Sequence, residues 1–275
     1  GPYAEYECED IVAMALGGFM YLTGYPDSPP VHAYGDQAYL AAGMYASVAS
    51  MLALTTAETK GVGQHLDVSM QECVVMAMET AAQYLDLEGT VRKRFGANQR
   101  FAGSGVFECK DGYVYMMAAG IGANKFWSYS LEWLMEERVP GVERLKGERW
   151  KEIEYVQSDE AKIIFAEVFG PWAKARTKAQ LYHDGQRHHV PLAPVNGPKD
   201  ILASPQLEHR RYFVDVPHPH AGRPLRMPGA PYRLSRTPWR IGRPAPLLGE
   251  HNAAVYGEIG VDAQRLQQLY AGGVI

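Results

Sequence analysis

The sequence predicts a mixed α/β fold built as more than one domain. Stretches with helical spacing of apolar residues alternate with short runs of β type. A basic, glycine-containing tract around Arg92 to Gly105 interrupts that pattern just before a hairpin signal. The chain has 275 residues, 47% of them apolar, enough for one large domain or two modest ones with real cores.

The elements follow in order. Glu9 to Gly24 is apolar nearly all round, with Ile11, Val12, Met14, Leu16, Phe19 and Met20, and stops at "TGYPDSPP", where glycine and prolines forbid helix. A buried helix followed by a loop is expected. Over Asp36 to Lys60, Ala41, Ala42, Gly43, Ala46 and Ser47 allow close backbone approach and Gly61 is placed to end the helix, which predicts a central, tightly packed element. "GQHLDVSMQEC" alternates like a short strand over His65 to Val68. Ser69 with Glu72 then makes a capping box, opening a helix whose stripe of Met70, Cys73, Val74, Ala77, Ala81, Tyr84 and Leu85 reads as core. "GVFECKDGYVYMMAA" reads as a strand, an Asp-Gly turn and a second strand, opening a new domain. Amphipathic helices are expected at Asn124 to Glu136, Asp159 to Lys174 and Thr177 to Asp184, and a short strand at "VPLAPV". From Gly197 the chain is proline-rich and irregular until a last helix capped by Asp262 and stopped by Gly272.

Composition excludes several function classes. A net charge of -4 argues against a general polyanion binder, and so against nucleic acid. Arg210, Arg211, Arg223, Arg226, Arg233, Arg236, Arg240 and Arg243 do crowd one stretch; among so many prolines they read as clamps on carbonyls or carboxylates at a subunit interface. No run of eighteen or more uncharged apolar residues appears and the first residues do not resemble a signal peptide, so no membrane association is expected. Cys8, Cys73 and Cys109 lack CxxC spacing, which fits a reducing cytoplasm. His183, His188 and His189, like His218 and His220, lack metal-ligand spacing. No GxSxG, Walker or GxGxxG pattern is present. Neither a metal nor a bound cofactor is expected.

Several strings together carry a resemblance: "GPYAEYECEDIVAMALGGFMYLTG", "GVGQHLDVSMQE", "FECKDGYVYM", "APVNGPKDILASPQLEHRRYFVDV" and "APLLGEHNAAVYGEIG". In content, order and spacing the chain resembles the family III (CaiB/BaiF) CoA-transferases, which include carnitine CoA-transferase, formyl-CoA transferase and α-methylacyl-CoA racemase. The resemblance implies a Rossmann-like large domain, partial here, with an inserted small α+β domain, and two subunits interlocked like chain links. It implies that the chain begins after the family's N-terminal segment. The domains would be 1–94 (back of the large domain), 95–196 (small domain) and 197–275 (tail returning to the large domain).

In the transferases an aspartate attacks an acyl-CoA thioester, giving a mixed anhydride and then an aspartyl-CoA thioester that hands CoA to an acceptor acid. Only a carboxylate can become the acyl half of such a thioester. Aligned without gaps, the family's aspartate, four residues before Gly43, falls on Tyr39, whose phenol has an ordinary pKa of about 10 and cannot take that role. Asp36 lies one helical turn earlier, and is either a displaced nucleophile or the helix N-cap. Asp10 in "CEDIV" aligns with an acidic residue beside the reactive aspartate, or caps its own helix. Glu9 and Tyr39 replace the racemases' histidine and aspartate, which argues against racemisation. "RFGANQRFAGSG" takes the place of the family's glycine-rich loop; Gly96, Gly103 and Gly105 make it either a lid over the CoA ester or a plain linker hairpin.

The expected function is transfer of CoA between an acyl-CoA thioester and a carboxylic acid, with CoA thioester as substrate. The alternative is a non-catalytic subunit of a heteromeric CoA-transferase. The expected assembly is a homodimer, or a heterodimer with a paralogous subunit.

Overall fold

A computed structural model describes residues 1–119, 124–218, 221–242 and 244–275; His220 and Arg243 lie outside them. The chain divides into two compact units, Gly1–Val195 and Asn196–Ile275. The mixed α/β content expected from the sequence is present.

Unit 1 holds two separate apolar clusters. The smaller joins α1 (Asp10–Leu16), α3 (Gln37–Lys60) and α4 (Met70–Ala77) through buried Ala13, Met14, Ala38 and Val74. The expected single helix over Glu9 to Gly24 is broken: Gly18 adopts φ 80°, and the short α2 (Phe19–Leu22) restarts beyond it. Gly17 also has a packing reason, since a Cβ there would sit 2.4 Å from Val74 Cγ1. Nor is α1 buried all round, because Ile11, Val12 and Leu16 are exposed.

α3 differs most from expectation. It runs 24 residues and ends at Gly61, with φ 68°, yet among its described residues only Ala38 is buried. Leu40, Met44, Val48, Met51 and Leu52 are exposed, because α1 and α4 cover so little of a helix that is apolar on every face. By length and composition Gln37–Lys60 is also able to cross a bilayer, although Ser47, Thr55, Thr56 and Thr59 along it turn their hydroxyls back to helix carbonyls. His65 to Val68 joins no sheet among the described residues; alternation alone does not make a strand without a ladder partner. Ser69 caps α4 by accepting from Glu72 N at 3.3 Å. The helix expected to continue through Leu85 breaks at Glu79, with φ 52°, before α5 (Ala81–Glu88).

The larger cluster centres on an antiparallel sheet in the order β1 (Ser104–Cys109), β2 (Gly112–Met117), β3 (Leu192–Pro194). Cys109 pairs with Gly112, so the tight turn is Lys110-Asp111 and the glycine, with φ 141°, opens β2. Asp111 Oδ1 accepts from Lys178 N at 2.7 Å, tying that turn to the start of α9 (Lys178–Arg187). α6 (Asn124–Glu136) and α8 (Asp159–Lys174) occupy their expected spans, with a short α7 (Ile153–Gln157) between them. Trp133, Phe165 and Phe169 are fully buried, each worth about 2–3 kcal/mol in area removed from water. Thr177 and Gln180 form a reciprocal capping box at α9.

Arg94 ties the tract between the clusters back to the first. Its Nε donates to Tyr25 O at 2.8 Å, Nη2 to Ser28 O at 2.8 Å and Nη1 to Tyr21 O at 3.2 Å.

Unit 2 contains α10 (Pro198–Leu202), α11 (Pro205–His209), the hairpin β4 (Phe213–Val216) with β5 (Leu225–Pro228), and α12 (Asn252–Glu258) with α13 (Ala263–Ala271). Asp262 Oδ1 caps α13 by accepting from Arg265 N at 2.7 Å, and Gly272 ends it.

Candidate functional site

The candidate residues meet where the starts of α1 and α3 come together. Asp10, the first residue of α1, is 6% exposed and does not cap its own helix; Glu9 holds that position, and its side chain does not cap the helix either. Its carboxylate reaches across to α3 instead: Oδ1 accepts from Ala38 N at 2.7 Å and from Tyr39 N at 3.2 Å. These are orphan donors of a helix first turn, with the helix dipole favouring the anion. Oδ2 lies 2.8 Å from His32 Nε2. An ionised carboxylate only accepts, so the imidazole donates from Nε2. Burial pushes the Asp10 carboxyl up, but the bonds from His32, Tyr39 and Ala38 outweigh it and hold the group below its ordinary 3.8. Asp10 is therefore an anion with its acceptor positions engaged.

Asp36 stands at the N-cap position of α3 with φ −89° and ψ 66°, and its side chain does not cap the helix. Asp10 has taken that role from a distant part of the chain. Asp36 is exposed, and its carboxylate forms no hydrogen bond or ion pair among the described residues. Gly35, with φ 80°, makes the turn that presents it. Tyr39 is 45% exposed, and its hydroxyl approaches Glu9 Oε2 at 3.4 Å and Cys8 O at 3.5 Å. Partial burial, then the negative charge of Glu9, raise the phenol above its ordinary 10.0, so it stays protonated at neutral pH.

Gly103 and Gly105 are both buried, and lie apart from these residues in the larger cluster. Gly103 has φ 76°, and a Cβ on it would lie 2.6 Å from Ala118 Cβ and 2.8 Å from the Phe165 ring. A Cβ on Gly105 would lie 2.9 Å from Gln99 Cα. Both glycines serve close packing at the start of β1. Gly96, with φ 57°, lies against the Tyr25 ring.

Among the histidines weighed as metal ligands, His188 is held by protein groups: Nδ1 lies 2.8 Å from Asp184 O, Nε2 lies 2.9 Å from Glu136 Oε2, and the ring stacks on Trp133. Among the described residues no group of three or more His, Cys, Asp or Glu side chains is placed to hold a metal ion. Sequence reasoning missed His32, the partner of Asp10, and the Arg94 clamp. Neither carries a periodic or motif signal; only the neighbourhood of "PPVHAYGD" and "VRKRFG" to apolar segments hinted that they pack.

Residues 1–252 match the family model described as CoA-transferase family III. The chain is 38% identical over 277 residues to the succinyl-CoA:(R)-benzylsuccinate CoA-transferase subunit BbsE of Thauera aromatica, covering all of this chain and 67% of that protein. It is 28% identical to the formyl-CoA:oxalate CoA-transferase of Streptomyces avermitilis, covering 69% of it, and 27% identical to the human succinyl-CoA:glutarate CoA-transferase, covering 61%. A crystal structure of a CaiB/BaiF family protein from Brucella suis superposes with a TM-score of 0.74 at 27% identity, over 94% of this chain and 65% of that one. With the family model matched through residues 1–252 and a relative 38% identical over the whole chain, the chain belongs to CoA-transferase family III.

Proposed function

We propose that this protein moves CoA between an acyl-CoA thioester and a carboxylic acid. The observation that carries the reading is the family match through residues 1–252, together with relatives that bear CoA-transferase names for different acids while aligning with the whole chain. Within the chain, Asp36 is the carboxylate suited to carry the acyl group: exposed, at the N-terminus of α3, with no competing partner among the described residues. Its carboxylate attacks the thioester carbonyl and expels CoA thiolate, leaving a mixed anhydride. The thiolate then attacks the aspartyl carbonyl and releases the first acid. The acceptor carboxylate displaces CoA from the aspartyl thioester, and the thiolate attacks the new anhydride to release acyl-CoA and free aspartate. Asp10 positions the turn that carries Asp36 and Tyr39.

A second reading is favoured by Tyr39, whose protonated phenol stands four residues before Gly43 and cannot carry CoA. In it, a paralogous subunit supplies the acyl-carrying aspartate and this chain completes an interlocked heterodimer; the Thauera aromatica relative is itself named a subunit. The uncovered apolar faces of α3 suit such an assembly, and the free thiols of Cys8, Cys73 and Cys109 suit the cytoplasm.

The test is to incubate the purified protein with an acyl-CoA, trap with hydroxylamine or borohydride, and map the modified peptide. Modification of Asp36 within Ala33 to Met44 supports the first reading, and modification of a co-purified paralogue supports the second. An unmodified Asp36 refutes the first reading, and a purified protein without a labelled paralogue that transfers CoA by itself refutes the second.

A further inference from the structure

Unit 2 contains a cavity of about 1040 Å³ that the transfer reading does not use. Its walls come from the end of α11, from β4 and from the proline-rich segment after β5. Four arginines line it, Arg210, Arg211, Arg233 and Arg240, against a single lining carboxylate, Asp215. Arg210 is partly occupied, with Nη2 3.4 Å from Pro231 O. The side chains of Arg211, Arg233 and Arg240 form no ion pair or hydrogen bond among the described residues, and so keep their donors available. Arg211 also holds φ 49° just after α11, where Tyr212 N bonds back to Leu207 O at 3.0 Å. Glycine is the residue that such a helix ending favours, and an arginine is kept there at a conformational cost.

Aromatic faces accompany the charge. Tyr212, Tyr232 and Trp239 line the same cavity. Trp239 is 41% exposed and is set against the turn at Gly229, where a Cβ would lie 3.4 Å from the indole and 2.6 Å from Tyr212 O. Gly229 N donates to Tyr212 O at 2.8 Å, which fixes that wall.

We propose that this cavity binds a phosphorylated nucleotide, either free or as the nucleotide end of a CoA thioester. Guanidinium forks match phosphate oxygens in pairs. Flat aromatic faces stack on a base, and a lone carboxylate beside them accepts from ribose hydroxyls or a base amino group. An acidic peptide would meet the arginines but leave the rings and Asp215 unanswered. Only the CoA source rests on the transfer reading; the site itself stands without it.

The test is calorimetric titration of the purified chain with 3′,5′-ADP, ATP, CoA and inorganic phosphate. The nucleotides should bind with an affinity that falls as salt rises. Arg233→Ala and Arg240→Ala, both exposed, should each weaken binding about tenfold with an unchanged circular dichroism spectrum. Trp239→Leu should weaken it, and Trp239→Phe should restore most of the loss. A 3′,5′-ADP or CoA preference over ATP with the same arginine dependence assigns the CoA source, whereas ATP binding as well or better assigns a free nucleotide. Nucleotide binding that is absent, that matches inorganic phosphate, or that ignores both arginine variants overturns the proposal. CoA transfer measured in parallel separates the two ideas: transfer without nucleotide binding here removes this site alone, and arginine-dependent binding without transfer removes the transfer reading alone.

Discussion

Replacing Asp10 tests the junction of α1 and α3 directly. Asp10→Ala deletes the acceptor of three donors, and their surroundings set the cost. Ala38 is fully buried, so its N–H, 2.7 Å from Oδ1, finds no water in exchange and carries a desolvation penalty of about 1–3 kcal/mol. Tyr39 N lies on a half-open turn, and His32 is only partly buried, so both are resolvated at smaller cost. With the smaller costs at Tyr39 and His32 included, Asp10→Ala should cost about 2–3 kcal/mol, at or slightly above the usual range of about 0.5–2 kcal/mol for a lost helix cap. Asp10→Asn retains an oxygen for the two amides and should cost about 1 kcal/mol. The assay is urea unfolding followed by circular dichroism, comparing midpoints at constant slope. Because the folded carboxyl lies below its ordinary 3.8, the difference between wild type and Asp10→Ala should be complete above that value and shrink as pH falls through the lowered one. His32→Ala should cost less than Asp10→Ala. An Asp10→Ala loss below about 0.5 kcal/mol, or an equal loss in His32→Ala, would refute the cross-helix cap.

Two further substitutions probe the larger cluster. For His188, burial lowers the imidazole, but the bonds to the Asp184 carbonyl and to Glu136 outweigh it and raise the group above 6.5. Its stabilisation is then complete below 6.5 and lost as pH rises through the raised value, so wild type should lose more stability than His188→Gln as pH rises from 6.5 through that value, read from urea midpoints. Gly103→Ala should destabilise by about 2–4 kcal/mol in thermal unfolding, since the new methyl meets Ala118 and Phe165 at a left-handed backbone position.

Local patterns were legible in the sequence where the deciding forces are local. α6 and α8 keep their expected spans because amphipathic spacing lies within each segment, with Ser158 capping α8, and Asp262 with Gly272 brackets α13 by equally local means. The break at Gly17-Gly18 was not legible, because it depends on Val74 packing from α4. His65 to Val68 alternates as a strand does, but alternation does not supply a neighbouring ladder. In the candidate site, Asp10, Asp36 and Tyr39 were all visible as candidates, yet their division of labour was not. The helix start is held by the carboxylate 28 positions upstream of Ala38 and not by the aspartate next to it.

That long-range cap has a kinetic side. The opening turn of α3 cannot close its amides until the segment bearing Asp10 has docked, so it forms only when a loop of 28 residues is closed. Hydrogen exchange at the Ala38 and Tyr39 amides therefore reports the arrival of a different helix, and should slow in step with α1 while mid-helix amides of α3 follow their own course.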